Sequence, residues 1–96
     1  YYPVYARATQ LAGAEPVFVP FARDGGLELD AISGDVLARA RVLLINYPGN
    51  PTTQAVSLTE LARYVAFAEA HDLLLLSDLA YSELSYDGFV VPSVLQ

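Results

Sequence analysis

Asp78 directly follows Leu73-Leu74-Leu75-Leu76-Ser77. An ionised carboxylate at the end of so apolar a run is costly to bury unless a cation or several donors meet it. A protonated pyridine nitrogen would compensate it, and that pairing keeps a ring an electron sink for a carbanion at a substrate's α-carbon. A cap on a turn or helix over Leu79 to Glu83 is the other reading of the same carboxylate. Tyr81 stands three residues on and could present its phenol from the same turn, as a donor to an oxyanion on the far side of such a ring. It is also one of seven tyrosines, and a half-buried tyrosine needs no ligand to explain it.

A second cluster is Asn46-Tyr47-Pro48-Gly49-Asn50-Pro51-Thr52, which holds two Pro, one Gly and two Asn just where an apolar run ends. Its backbone is therefore stiff and its amide side chains are aimed by the turn. Asn50 can donate to a ring oxygen without carrying charge, and Asn50-Pro51 is a candidate cis peptide bond. A plain surface turn would account for the Gly and Pro, but not for two such motifs at the ends of successive strands.

Other polar residues carry less. His71 sits at a helix end beside Asp72, where an imidazolium favours the helix dipole. Gly25-Gly26 reads as a turn, because no helix start follows in the register that a phosphate loop requires. Arg39 and Arg41 solvate a helix end, and Ser82, Ser85 and Ser93 have no base nearby to make a nucleophile. The carboxylates are scattered and the single His lacks a partner, so no metal site is expected.

The elements that must position these residues follow from periodicity. Val4 to Ala12 carries Tyr5, Ala8, Leu11 and Ala12 at helical spacing, with Pro3 where a first turn tolerates it and Gly13 where a left-handed cap falls. Pro16 to Pro20 suits a short strand, Asp24-Gly25-Gly26 a turn and Asp35 to Arg41 a short helix. Val42 to Asn46 is a continuous apolar run, as in a strand covered on both faces of a parallel sheet. Ser57-Leu58-Thr59-Glu60 is a capping box, in which hydroxyl and carboxylate each satisfy a backbone N–H. It opens a helix to about Ala70 whose face is Leu58, Leu61, Ala62, Val65 and Ala68. His71-Asp72 ends it, and Leu73 to Ser77 reads as another buried strand. Alternating helices and strands predict right-handed βαβ units around a mostly parallel sheet, with ligands at the strands' carboxyl ends.

Composition bounds the rest. Ninety-six residues suffice for one core, residues 1–96 forming a single partial domain. Mean hydropathy is positive and 54% of residues are hydrophobic, yet no apolar run approaches the ~20 residues of a membrane span. Five Arg, no Lys and eleven Asp and Glu leave a net charge of -6, which disfavours nucleic acid and anionic membranes and points to a small-molecule partner. The absence of Cys excludes disulfides and thiolate chemistry. Tyr1-Tyr2-Pro3 resembles neither a protein N-terminus nor a signal peptide, so a piece of a longer chain is expected.

Asn46 to Thr52 followed by Ser77-Asp78-Leu79-Ala80-Tyr81 resembles the fold-type I, class I/II aminotransferases. Tyr2-Pro3-Val4-Tyr5, Leu37-Ala38-Arg39-Ala40-Arg41 and Tyr81-Ser82-Glu83-Leu84-Ser85-Tyr86-Asp87-Gly88 extend the likeness essentially from end to end. The second Tyr-rich stretch and Pro92-Ser93-Val94-Leu95-Gln96 look most like the branch containing LL-diaminopimelate and alanine-type aminotransferases. The resemblance implies an α/β fold, three layers αβα, of which this chain is part of the large domain. It implies a cytoplasmic homodimer that uses pyridoxal 5'-phosphate to exchange an amino group between an amino acid and a 2-oxo acid. Residue by residue, it gives Asp78 the pyridine nitrogen and gives Asn50 and Tyr81 the ring's phenolic oxygen. Tyr2 would stack on the ring face, although Tyr1 is its neighbour and either ring could be core packing. Asn46 mainly shapes the loop.

The sequence also departs from the family pattern. Thr53 stands where the motif usually has Gly, and a β-branched residue tolerates a left-handed conformation poorly, so the loop is expected to adjust slightly. The Schiff-base lysine has no counterpart, nor do the phosphate cup and the arginine for the substrate carboxylate. The chain alone is thus expected to be inactive. Lyases at the β-carbon, synthases at the γ-carbon and the aminotransferase-like sensor domain of a transcription regulator share these motifs. A cofactor-free α/β domain is the remaining alternative.

Overall fold

The computed structural model describes residues 2–96. Its elements in chain order are α1 (Val4–Leu11), a 3-10 turn Leu29–Ala31, α2 (Gly34–Arg39), β1 (Val42–Asn46), α3 (Leu58–Ala70), β2 (Leu74–Asp78) and a 3-10 turn Ser82–Leu84. β1 and β2 pair in parallel with α3 as the crossover, and their register runs from Val42↔Leu74 to Asn46↔Asp78. The expected α/β architecture is present, with two strands among the described residues.

The core lies on one side of that sheet. Leu43 and Ile45 of β1 pack there with Leu61 and Tyr64 of α3, and with Leu27, Leu29, Tyr47 and Val56 from the connections. Burying each large side chain contributes about 1.5–3 kcal/mol before entropy is subtracted. Tyr64 is 0% exposed. Its hydroxyl accepts from Leu27 N–H at 2.9 Å, and its ring stacks on Tyr47, whose own hydroxyl donates to Gly25 O at 3.0 Å.

Several expectations are corrected. Pro16–Pro20 forms no strand; the nearby pairing is an isolated antiparallel bridge, Phe21↔Leu27, around the Asp24-Gly25-Gly26 turn. Proline lacks the ladder donor, and the segment has Pro at both ends. The β1–β2 sheet is covered on one face instead of two: Val42, Leu44, Leu74 and Leu76 are exposed. The buried stripe of α3 is Leu61, Tyr64 and Ala68. Leu58, Ala62 and Val65 turn instead toward a groove bordered by Ser93 and Val94. The capping box is half formed: Ser57 Oγ accepts Glu60 N–H at 3.1 Å, while the Glu60 carboxylate pairs with Arg63 at 2.6 Å.

Two helix ends agree. Gly13 after α1 has φ 76° and α3 ends at His71 with Asp72 at φ 54°, whereas α2, expected over Asp35 to Arg41, runs Gly34–Arg39 under a Ser33 Oγ cap. No helix among the described residues is long and apolar enough to cross a membrane.

Candidate functional site

The parallel register brings the two motifs together. Asn46 and Asp78 are the last pair of the ladder, so the loop leaving β1 and the turn leaving β2 start side by side. Asn46 then ties them: its Nδ2 donates to Asp78 O at 3.1 Å, and its Oδ1 accepts Asn50 N–H at 3.1 Å. Within the loop, Thr53 N–H donates to Gly49 O at 2.7 Å and Gly49 N–H to Gln54 O at 2.9 Å. Asn50-Pro51 is cis as expected, and so is Tyr47-Pro48, which the sequence reading did not single out. Thr53 adopts φ 57°. The loop therefore keeps its left-handed residue, contrary to the expected adjustment; the hydrogen bonds on both sides of Thr53 hold it there.

Asn50, Tyr81 and Asp78 converge at this edge, all three half-buried. Asn50 Nδ2 donates to the Tyr81 hydroxyl at 3.2 Å. Asp78 has two donors of its own. Oδ1 accepts Ala80 N–H at 3.0 Å, the local turn contact weighed above, and Oδ2 accepts the Tyr5 hydroxyl at 2.5 Å. The capping reading of Asp78 is thus seen in one oxygen, and the other oxygen is met by a donor from a distant element. Tyr2 is exposed and lies edge-on to Tyr5, with ring centroids 5.8 Å apart. Tyr1 lies outside the described residues.

Tyr5 is the member of the site that sequence reasoning missed. It served there as an apolar position of α1 and as part of the Tyr2-Pro3-Val4-Tyr5 likeness, with no role in the site. No local signal distinguishes it, because its partner Asp78 lies 73 positions away in sequence. Desolvation by burial, followed by the hydrogen bond to Asp78, pushes the Tyr5 phenol well above the usual tyrosine range, so it remains a donor.

The other polar residues stay apart. His71 packs against the Phe67 ring at 4.5 Å, and Arg39 pairs with Glu15 on the surface. The Gly25-Gly26 turn is buried under the Asn46 loop and α3, where a Cβ on Gly26 would fall 2.5 Å from Glu60 Oε1. No cluster of His, Cys, Asp and Glu among the described residues could hold a metal ion.

The chain resembles known proteins over nearly its whole length. The chain is 45% identical to the LL-diaminopimelate aminotransferase of Moorella thermoacetica and 43% identical to LL-diaminopimelate aminotransferase 2 of Trichormus variabilis, in each case over 99% of this chain and 25% of the relative. A solved structure of a probable N-succinyldiaminopimelate aminotransferase from Thermus thermophilus superposes with a TM-score of 0.90 at 34% identity, covering 98% of this chain and 25% of that one. The chain therefore spans about a quarter of the length of the proteins it matches. The profile described as aminotransferase class I and II matches residues 1–95, and the chain belongs to that family.

Proposed function

We propose that the protein carrying this chain is a pyridoxal-phosphate-dependent aminotransferase, exchanging an amino group between an amino acid and a 2-oxo acid, and that residues 1–96 form its ring-binding wall. The observation that carries the reading is one connected cluster at adjacent strand ends: Asp78, joined through Asn46 to Asn50, whose amide meets the Tyr81 phenol at 3.2 Å. A pyridine ring with a cationic nitrogen and a phenolic oxygen asks for that donor set, an anionic acceptor at one edge and neutral donors at the other. The residues present fit the group.

When bound, pyridoxal phosphate supplies an electron-withdrawing ring that stabilises negative charge at the substrate's α-carbon. Asp78 would hold the ring-nitrogen proton, and Asn50 Nδ2 and the Tyr81 hydroxyl would hold the phenolic oxygen. Tyr2 would cover one ring face and exclude water from it. Asn46 keeps the two halves in register by bonding to both. Moving the substrate proton falls to a lysine elsewhere in the protein, because this chain contains none.

The names of the relatives favour LL-diaminopimelate as the amino donor. A cytoplasmic homodimer is the assembly and setting that this reading carries with it. The test is the full-length protein given LL-diaminopimelate, with 2-oxo acid formation followed in the presence and absence of an acceptor 2-oxo acid. Turnover that requires the acceptor supports amino transfer. Turnover without it would instead mark a lyase or synthase, and transfer from other amino acids alone would remove the diaminopimelate assignment.

A further inference from the structure

We propose that Tyr5 is a positioning residue for the ring-nitrogen contact: its hydroxyl, donated to Asp78 Oδ2, sets the plane of the carboxylate that meets a pyridinium nitrogen. This rests on the cofactor reading above and extends it to a residue on a different element.

The need for such a residue follows from the geometry of an aspartate at a strand end. β2 fixes the Asp78 backbone through the ladder to Asn46, but rotation about the last side-chain torsion of Asp is broad, so the backbone alone does not orient the carboxylate. Two contacts do. Ala80 N–H holds Oδ1 from within the same turn, and Tyr5 holds Oδ2 from α1, 73 positions away in sequence. Each carboxylate oxygen can accept more than one hydrogen bond, so Oδ2 keeps acceptor capacity beside the phenol. Tyr5 does not exchange roles with Asp78, because burial and this bond keep its phenol protonated.

Tyr5 also meets Tyr2 edge-on, with an interplanar angle of 79°. Tyr2 precedes the Pro3 cap of α1 and Tyr5 lies in its first turn, so the start of this helix sets side by side the ring that would cover the cofactor's face and the donor to the carboxylate that would take its nitrogen. Contacts held in this way before a ligand arrives reduce the ordering cost of binding.

The experiment uses the full-length protein and Tyr5→Phe. Equilibrium binding is measured for pyridoxamine phosphate and for its 1-deaza analogue, in which a C–H replaces the ring nitrogen. Wild type should prefer the pyridine compound. Tyr5→Phe should weaken pyridoxamine phosphate about tenfold, the scale of one hydrogen bond involving a charged group, and leave the deaza analogue unchanged. Retained binding of the deaza analogue also reports that the variant is folded. Equal weakening of both compounds would make Tyr5 mere packing, and no change in either would make it idle; each result overturns the proposal. Wild type binding both compounds equally would overturn it as well, since Asp78 would then not read the nitrogen. Wild type binding neither would overturn the cofactor reading itself, and this inference with it.

Discussion

Thr53 concentrates the backbone strain of the site loop. At φ 57° its Cβ crowds the backbone, which for a residue other than Gly costs about 1–2 kcal/mol. Glycine would remove that cost and lose about 0.5–1 kcal/mol through its freer unfolded chain. Thr53→Gly in the full-length apo protein is therefore expected to stabilise by about 0.5–1 kcal/mol. Urea unfolding would show this as a higher midpoint at unchanged slope, and a lower midpoint would mean that the Thr53 side chain contributes more than its strain costs. Asn46 illustrates the opposite case, a residue with little strain and much consequence. Its amide reaches both the Asp78 carbonyl and the Asn50 N–H, which makes its expected loop-shaping role visible as two bonds. The family motif made Asn50, Tyr81 and Asp78 legible one by one. Tyr5 was not legible, because nothing local in Val4–Leu11 tells a tyrosine that packs from one that donates to a residue 73 positions away.

At the scale of elements, α3 carries two apolar stripes, and the periodicity alone could not choose between them. Leu61 and Ala68 belong to both the expected and the observed core face. Tyr64 completes the buried stripe, because its hydroxyl has somewhere to go: it accepts from Leu27 and lies 3.5 Å from the Tyr47 hydroxyl. The start of α3 is a local feature and was readable. Its carboxylate was diverted from the capping box because Arg63, one turn on, donates to Glu60 and also to Leu27 O at 2.6 Å. Removing the Ser57 cap with Ser57→Ala should cost about 1 kcal/mol, read by thermal or urea unfolding. The Arg63 hydrogen bond holds the Glu60 carboxyl below the ordinary glutamate range. A carboxylate lowered in this way contributes stability that is full above its unfolded value and is lost as pH falls through its folded one. Stability should therefore decline as pH drops below the ordinary glutamate range, and Glu60→Gln should make that decline shallower. An identical pH profile in the variant would assign the decline to other carboxylates.

The whole molecule is one-sided. Val42 and Leu44 of β1 and Leu74 and Leu76 of β2 are register partners, so they form a single exposed apolar face opposite the core. Soluble proteins seldom leave such a face open, and this chain spans about a quarter of its relatives' length. The 96-residue chain expressed alone is expected to bind a hydrophobic-surface dye, with Leu44→Ser and Leu76→Ser together reducing that binding and the full-length protein showing little. Equal dye binding by the chain and by the double variant would mean that the signal comes from elsewhere, such as the groove beside Leu58 and Val65.

Sequence by itself determined the features that are local in the chain: the β1 and β2 runs and the Ser57 start and His71 end of α3. These depend on residue type and short spacing, which fix propensity, caps and turn chemistry before any distant contact exists. Only the tertiary structure decided which face of the sheet is buried, that Pro16–Pro20 pairs with nothing as a strand, that Thr53 keeps its left-handed backbone, and that Tyr5 reaches Asp78. Each of these depends on where a second segment comes to lie, and a strand's burial or a carboxylate's partner is set by that neighbour and not by the residues beside it.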